Sequence, residues 1–510
     1  AAAVELLLPQ FWLPSCTMNV AKACLLLAIG VLVLSTSVEA VPKGFMYGMA
    51  TAAYQVEGAW NVSGRGLSIW DTFSHTPGKT ANGATGDVAD DFYHRYEEDV
   101  KLMVKYRITH FRLSLSWTRI LPAGTGAVNQ AGIDFYNKLI NLLLANNIQP
   151  VVTLFHWDMP QTLEDRYLSW LGPQIVDDFV AYADVCFQAF GDRVKTWFTF
   201  NEPLTFANLG YGTGGNAPGR CSDRLKCSAG NSTTEPWIVG HRVLQSHAKA
   251  VQTYRRYYQQ LQGGKIGIVL NSDWDEPYTQ SPDDIAAAQR GMDFMLGWWA
   301  DPIWFGDYPS SMKQRLGKLL PRFTSDEKKL LKGSYDFFGL NHYTSRYVSA
   351  GHTTRDNPAG TVSHETDVNG KPIGPVAASD WLLVVPWGFQ NLLKYVWNRY
   401  QTPIIVTENG CDAPGENEMP LQQALKDTFR VNYFRDYLSN MLEAIQSGAK
   451  VHGYFAWSFM DNFEWADGYA KRFGVTYVDY ANGLTRYPKD SSTLLTNFFS
   501  SWSGPEIVDN

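Results

Sequence analysis

The sequence predicts an α/β protein built as a single (β/α)8 barrel with long βα loops. Short apolar runs of β-forming residues alternate with amphipathic helical stretches, as parallel strands joined by helical crossovers require. The chain has 510 residues, and beyond residue 41 no linker, charge block or low-complexity tract divides it. Barrels of this class routinely form one domain of such length.

Eight runs have the length and composition of β-strands. Each is short, rich in β-branched or aromatic residues, and bounded by turn-forming residues. The predicted strands cover residues 45–49, 109–115, 150–154, 197–201, 265–270, 337–340, 403–406 and 451–457.

The segments between these runs have helical periodicity. In residues 90–106, Phe92, Tyr96, Val100 and Met103 recur at the spacing of one helix face. The polar, Gly- and Pro-rich stretch 349–380 is the longest predicted loop and is expected at the barrel entrance. Further helices are predicted over residues 130–147, 175–190, 235–260 and 421–446.

The composition is that of an ordinary globular protein, with 45% hydrophobic and 18% charged residues. The formal net charge is −7 and no long basic run occurs, which disfavours a nucleic-acid partner. Aromatic residues make up 14% of the chain and include 18 Trp, enough to supply a large core and flat surfaces for sugar rings.

The N-terminal segment is interpreted as processing sequence. An apolar run over residues 24–34 follows a single positive charge, and Val-Glu-Ala at 38–40 fits a small-x-small cleavage site. Because this run is too short to span a bilayer, a signal peptide (residues 18–40) is favoured over a membrane anchor. Residues 1–17 are predicted to be a non-native extension, 41–505 the barrel domain and 506–510 a C-terminal tail. The expected location is the secretory pathway, either secreted or in a vacuolar or lysosome-like compartment.

Cysteines and glycosylation sequons agree with that route. Cys221 and Cys227 lie in a Gly- and Ser-rich loop, where a small-loop disulfide is expected in a secreted chain. The alternative is a zinc half-site, although no His lies close enough in the loop to complete one. Cys186 is expected to be a buried, inert thiol. Asn61 and Asn231 begin Asn-x-Ser/Thr sequons.

Two glutamates follow apolar runs and are the main functional signal. Glu202 comes after the fourth predicted strand and Glu408 after the seventh. Each has a structural alternative, because Pro203 favours an extended residue before it and Asn409-Gly410 is a turn dipeptide. At the carboxyl ends of barrel strands, however, such side chains face a ligand site. A pair of carboxyl groups across a pocket is the apparatus for cleaving a glycosidic bond.

Other polar and aromatic residues recur near the same strand ends. Amides, imidazoles and carboxylates bind vicinal hydroxyls, while Trp and Phe provide a flat surface. Three of these residues have a structural alternative: His156 as a core histidine, Asn201 as the cap of the following turn, and Trp457 as a barrel-core residue. The candidate pocket residues from this pattern are Gln55, His156, Asn201, Asn341, Tyr343, Trp457, Glu464 and Trp465.

The ordered motifs resemble glycoside hydrolase family 1, the β-glucosidase family, across essentially all of residues 41–505. The loop that holds both Cys221 and Cys227 is similar to the disulfide-bearing loop of plant-type members. The motifs are residues 45–58, Phe-Arg-Leu-Ser-Leu-Ser-Trp at 111–117, His-Trp-Asp at 156–158, Thr-Phe-Asn-Glu-Pro at 199–203, Thr-Glu-Asn-Gly at 407–410, and 457–474.

The resemblance implies a role for each matching residue. Glu202 matches the acid/base and Glu408 the nucleophile of a retaining, double-displacement mechanism. Arg112 and Tyr343, with Asn341, match partners that orient the nucleophile. The residues that match substrate-binding positions are Gln55, His156, Asn201, Asn341, Tyr343, Trp457, Glu464, Trp465 and Phe473.

The implied function is hydrolysis of terminal β-D-glucosyl residues, and also of galactosyl or fucosyl residues, from oligosaccharides or glycosides. Myrosinase-type members have Gln in place of Glu202, and phospho-glycosidase members have Ser in place of Glu464, so both types are disfavoured. The alternatives are a transglycosidase that uses the same residues and a non-catalytic sugar-binding protein. No metal or organic cofactor is expected, and the predicted partner is a carbohydrate substrate. Met159, Trp170 and the loops 208–220 and 349–380 are expected to line the outer, aglycone part of the site.

Overall fold

The computed structural model describes residues 41–502. Within them, eight parallel strands form a closed barrel and neighbour one another in chain order. The strands are β1 (Met46–Ala50), β2 (His110–Ser114), β3 (Gln149–Phe155), β4 (Thr196–Asn201), β5 (Lys265–Asn271), β6 (Phe338–Asn341), β7 (Ile404–Asn409) and β8 (Val451–Trp457).

The last strand closes the barrel against the first. Met46 of β1 is in register with Gly453 of β8, and Ala50 is in register with Trp457. All eight predicted strands, and with them the predicted fold class, are confirmed. The carboxyl ends of all eight strands therefore meet at one rim of the barrel.

Strand β7 extends further than predicted. It runs through Glu408 to Asn409, so Glu408 lies within the strand and Asn409-Gly410 is not a hairpin turn. The register against β6 shifts between Val406 and Glu408, and Glu408 pairs with Asn341. Such an irregularity changes the direction of a side chain, and here it occurs at a predicted functional carboxylate.

Helices cover the barrel and fill its loops. The longest, Glu235–Tyr257, connects β4 to β5 and buries one face against helix Ile175–Phe190. The α-helices are Ala53–Val56, Ile69–Ser74, Phe92–Lys105, Trp117–Ile120, Gln130–Ala145, Gln161–Tyr167, Ile175–Phe190, Pro203–Tyr211, Glu235–Tyr257, Gln259–Gln262, Pro282–Met292, Trp298–Phe305, Ser310–Leu316, Ser325–Leu331, Pro386–Tyr400, Leu421–Ala424, Thr428–Gln446 and Asp490–Trp502.

In the described part of the chain, two small sheets lie outside the barrel. The strands Thr476–Asp479 and Thr485–Pro488 pair antiparallel. A three-stranded sheet contains Trp274–Pro277, Ser345–Ala350 and Thr361–His364, so part of the predicted entrance loop is β-structure.

Cys221 and Cys227 form a disulfide, which confirms the predicted pairing over a zinc half-site. Cys186 is a buried free thiol, as predicted. No helix within residues 41–502 is long and apolar enough to cross a membrane. The predicted extension, signal peptide and C-terminal tail lie outside the described residues.

Candidate active site

Glu202 and Glu408 line the same cavity at the carboxyl rim of the barrel. Glu202 directly follows β4, where a left-handed backbone (φ 42°) precedes helix Pro203–Tyr211. A non-glycine residue in this conformation is uncommon, and strained positions of this kind are concentrated at functional sites. Both side chains are almost fully buried, with Glu202 8% and Glu408 3% exposed.

Two donors hold the carboxylate of Glu408. Arg112 Nη1 lies 2.6 Å from its Oε1 and Tyr343 Oη lies 2.6 Å from its Oε2. Arg112 is fully buried, so its cation acts in a medium that screens it weakly. One charge-assisted bond on each oxygen fixes the carboxylate in place and suits its anionic form.

Glu202 has a different environment. Asn341 Nδ2 donates to its Oε1 at 2.8 Å and Thr205 Oγ1 donates to its Oε2 at 2.8 Å. Burial, followed by the nearby negative charge of Glu408, raises the pKa of Glu202 to about 8. This carboxyl group therefore holds a proton at neutral pH.

A network of amides connects the two glutamates. Asn201 Oδ1 accepts from Arg112 Nη2 at 2.7 Å and from Asn341 Nδ2 at 3.1 Å. Thr407 Oγ1 donates to Asn341 Oδ1 at 2.6 Å, which sets the orientation of the Asn341 amide. Since that amide also reaches Glu202, one hydrogen-bonded chain spans β2, β4, β6 and β7.

His156, at the end of β3, has one nitrogen available to a ligand. Its Nε2 accepts from Asn201 Nδ2 at 3.0 Å, while its buried Nδ1 has no partner within residues 41–502. Burial, assisted by the charge of Arg112, lowers the pKa of His156. The ring is therefore neutral, and its Nδ1–H is a free donor at the cavity wall.

Gln55 and Glu464 form a second polar group. Gln55 Nε2 donates to Asn462 Oδ1 at 2.9 Å and lies 3.5 Å from Glu464 Oε2. Gln55 is fully buried and is not among the cavity-lining residues, whereas Glu464 is. Burial raises the pKa of Glu464, and the charge of Asp467 adds to this effect. The Oε1 of Gln55 has no partner in the described part of the chain.

Aromatic rings form the remaining walls. His156 lies 5.9 Å from Trp457 and 5.9 Å from Trp465, centroid to centroid, with an interplanar angle of 21° in each pair. Phe473 and Trp381 are near-parallel, with centroids 6.5 Å apart. The cavity has a volume of about 460 Å³, within the range for small-ligand sites.

Of the twelve predicted catalytic, orienting and substrate-binding residues, ten line the cavity, and Arg112 and Gln55 lie one contact behind it. Arg112 is bonded to Glu408. The residues that line the cavity directly are His156, Asn201, Glu202, Asn341, Tyr343, Glu408, Trp457, Glu464, Trp465 and Phe473.

The prediction that Met159 and Trp170 line the outer site is wrong. Both are fully buried, and Trp170 packs on Phe155 and Phe200 in the core. Apolar side chains fit both the wall of a pocket and the protein core, so residue type alone did not show which of these two environments Met159 and Trp170 occupy. The predicted loop 208–220, in contrast, does contribute Leu209 and Asn216 to the cavity wall.

The sequence reasoning also missed several lining residues. Thr205 lies one helical turn after Glu202 on the helix that follows β4, and Asn271 is the last residue of β5. Its position at the end of a predicted strand is the signal that could have identified Asn271. The missed residues that line the cavity include Trp157, Thr205, Asn271, Asp273 and Trp381.

The fold and the cavity together define an enzyme of the glycoside-hydrolase class. The chain forms a closed parallel barrel, and its carboxyl rim carries two buried carboxyl groups, polar groups suited to bind hydroxyls, and aromatic walls. The sequence profile of Glycosyl hydrolase family 1 matches residues 37–502. The chain belongs to this family, and it is an enzyme of the β-glucosidase type.

Relatives and solved structures agree. The chain is 52% identical over 476 residues to β-glucosidase 40 of Arabidopsis thaliana, covering 91% of this chain and 93% of the relative. It is 52% identical over 464 residues to β-glucosidase 1B of Phanerodontia chrysosporium, covering 90% and 85%.

Among solved structures, a rice β-glucosidase mutant in a covalent complex with Glc superposes with a TM-score of 0.88 at 50% identity, covering 90% of this chain and 98% of that one. A β-glucosidase from the fungus Humicola insolens in complex with glucose has a TM-score of 0.89 at 48% identity, with the same coverage.

Proposed function

We propose that this protein is a retaining β-glucosidase that removes terminal β-D-glucosyl residues from oligosaccharides or glycosides, with tolerance for galactosyl and fucosyl residues. Glu408 is the nucleophile and Glu202 the acid/base. The observation that carries this proposal is the unequal environment of two carboxyl groups in one cavity. Glu408 is held by Arg112 and Tyr343, while the pKa of Glu202 is about 8.

In the first step, a Glu408 oxygen attacks the anomeric carbon and the glycosidic bond breaks. Glu202 donates its proton to the departing oxygen, so the aglycone leaves as a neutral alcohol. The product is a covalent glycosyl-enzyme, and the negative charge of Glu408 is consumed in the new ester bond. The covalent complex with Glc named for the rice relative supports an intermediate of this kind.

In the second step, water attacks the anomeric carbon, the bond to Glu408 breaks and releases its carboxylate, and Glu202 accepts the proton from the water. This reversal of role follows from electrostatics, because the charge of Glu408 contributes to the raised pKa of Glu202. Once that charge is in an ester, the pKa of Glu202 falls and the carboxylate becomes available as a base. The carboxyl groups supply all the acid, base and nucleophile chemistry, so neither a metal nor an organic cofactor is required.

The glycone is bound by the groups without protein partners. His156 Nδ1–H is a free donor and Gln55 Oε1 a free acceptor, each buried where an unpaired polar atom costs free energy. Asn201, Asn341, Tyr343 and Glu464 add polar contacts. Trp457, Trp465 and Phe473 present the aromatic surfaces on which the C–H faces of a sugar stack.

The test is a pair of substitutions with a matched control. Glu408→Gln is expected to abolish hydrolysis of an aryl β-glucoside. Glu202→Gln is expected to slow it most for poor leaving groups, with partial rescue by azide, because azide needs no general base. Glu443→Gln, on the exposed face of helix Thr428–Gln446, is the control for loss of a carboxylate elsewhere. Full activity in either cavity variant would remove the proposal.

Product analysis separates the alternatives. Proton NMR of the first product should show β-glucose, since double displacement retains configuration. If added alcohol or sugar acceptors replace water in most turnovers, the protein is a transglycosidase. Glucose binding with no turnover of any β-glycoside would identify a sugar-binding protein.

We also propose a secretory location, with a barrel domain of residues 41–505. The Cys221–Cys227 disulfide supports an oxidising compartment. Asn61 and Asn231 are both exposed, as N-glycosylation requires. Mass spectrometry of the purified protein for the N-terminal residue and for glycans at these two sites tests the proposal.

A further inference from the structure

Asp273 is a cavity carboxylate that the proposed reaction does not use. It lies two residues beyond the end of β5 and lines the same cavity as Glu202 and Glu408. Its side chain is partly exposed to the cavity. Its carboxylate has no hydrogen-bond partner among residues 41–502, although its backbone N–H contacts Met295 Sδ at 3.0 Å.

The surrounding charges leave Asp273 anionic. Burial raises its pKa to about 6 and the charge of Arg346 opposes that rise, so the group is ionised at neutral pH. The guanidinium of Arg346 is engaged elsewhere, since Nη1 donates to Thr344 Oγ1 at 2.9 Å and Nη2 donates to the carbonyl oxygen of Trp381 at 2.6 Å. Asp275 does not compensate, because it is itself a carboxyl whose pKa burial and Asp273 raise to about 8.

Asp273 lines the cavity just after the end of β5, and that strand end contacts the wall that carries the proposed acid/base. Asn271, two residues before it, donates to Thr205 Oγ1 at 2.9 Å, and Thr205 donates to Glu202 Oε2 at 2.8 Å. Glu202 delivers its proton to the departing oxygen, so this wall faces the aglycone. The proposed glycone groups Gln55 and Glu464 belong to a separate network, bonded to the 462–464 segment.

We propose that Asp273 selects the aglycone, favouring leaving groups that carry a hydroxyl or ammonium donor and disfavouring leaving groups that carry an anion. The proposal rests on the proposed β-glucosidase function and deepens it by naming the chemical class of the aglycone. A carboxylate without a protein partner is a strong acceptor for a donor on the ligand. A site built to pair with a polar group rejects analogues that leave its own group unpaired.

The test compares the ratio of kcat/KM between differently charged substrates. A variant that loses activity equally on all substrates leaves this ratio unchanged. The substrates are three aryl β-glucosides of the same size, with a para aminomethyl, hydroxymethyl or carboxylate group. In the wild type, kcat/KM should fall in that order. Asp273→Asn keeps the size of the side chain and removes its charge, and the aminomethyl-to-carboxylate ratio should fall about tenfold, the scale of one charge-assisted contact.

Two further variants make the outcome decisive. Asp165→Asn removes an exposed carboxylate from helix Gln161–Tyr167 and changes the net charge by the same amount, so its ratio should equal that of the wild type. Asp273→Lys should invert the preference between the aminomethyl and carboxylate substrates. A ratio within about twofold of the wild type in both Asp273 variants would overturn the proposal.

Failure of the proposed function gives a different result. If the wild type hydrolyses none of the three glucosides, the β-glucosidase proposal fails, and the selectivity proposal fails with it. If all three glucosides are hydrolysed and the order of their kcat/KM values does not depend on Asp273, only the selectivity proposal fails.

Discussion

At the scale of single residues, the Thr205 hydroxyl affects the protonation of the proposed acid/base, Glu202. Thr205 donates to Glu202 Oε2 and itself accepts from Asn271 Nδ2. The hydrogen bond from Thr205 lowers the pKa of Glu202, against the larger effects of burial and Glu408 that raise it. The buried Oδ1 of Asn271 has no partner within residues 41–502, so it can accept a hydrogen bond from a ligand or water at this wall.

Removal of the Thr205 hydroxyl should move the alkaline limb of the pH profile. Glu202 must be protonated for the first step, so kcat/KM should fall as pH rises through its pKa of about 8. In Thr205→Val, the ionised form loses a hydrogen bond and the pKa rises further, so the limb should move about one pH unit upwards. The measurement is kcat/KM for an aryl β-glucoside between neutral and alkaline pH.

Thr205→Ser is the control for this prediction, because it keeps the hydroxyl and should keep the wild-type limb. An unchanged limb in Thr205→Val, or a downward shift, would show that the hydroxyl does not act on the protonation of Glu202.

At the scale of elements, residues 458–474 carry three of the proposed sugar contacts, Glu464, Trp465 and Phe473, on a loop. A buried aspartate at the base of this loop holds its two ends together. Asp461 accepts from Arg472 Nη1 at 2.6 Å, from Lys489 Nζ at 2.8 Å and from the Gly474 N–H at 3.0 Å. Although burial raises its pKa, Lys489 and Arg472 outweigh that effect and lower it.

Asp461→Asn should therefore destabilise the protein and weaken glycone binding together. Loss of one member of a buried ionic network leaves cations without their partner, at a cost of about 3–5 kcal/mol in the free energy of unfolding. Urea denaturation measures that cost, and KM for an aryl β-glucoside should rise because the loop is less well fixed. In the control, Asp436→Asn breaks an exposed pair with Arg435 and should cost no more than about 1 kcal/mol. Equal losses in the two variants would contradict a special role for Asp461.

At the scale of the whole molecule, the barrel could be predicted from the sequence because each strand is a short apolar run that is buried on both faces. Glu202 and Glu408 were readable because a carboxylate at the end of such a run has no core to enter. The bulge that brings Glu408 into register with Asn341 was not readable, since it depends on how β6 and β7 pair. Thr205 and Asp273 gave no local signal either, because their importance arises from contacts that closure of the barrel creates.

Closure also means that a bound sugar should stabilise the entire fold. His156, Asn201, Asn341, Glu408 and Trp457 reach the cavity from the carboxyl ends of five different strands, with His156 one residue beyond β3. Because glucose binds the folded state and not the unfolded chain, it should raise the free energy of unfolding by about 2.7 kcal/mol at roughly 100 times its Kd. For a domain of this size, that corresponds to an increase in Tm of about 3 °C. Thermal denaturation at increasing glucose concentration measures the shift.

Two controls separate sugar binding from general stabilisation. Sorbitol at the same concentrations shows the stabilisation that any excluded polyol gives. The variant His156→Ala should reduce the glucose-specific rise in Tm, because it removes the free Nδ1–H donor. An equal rise in Tm with sorbitol and glucose would show that the cavity does not bind the sugar.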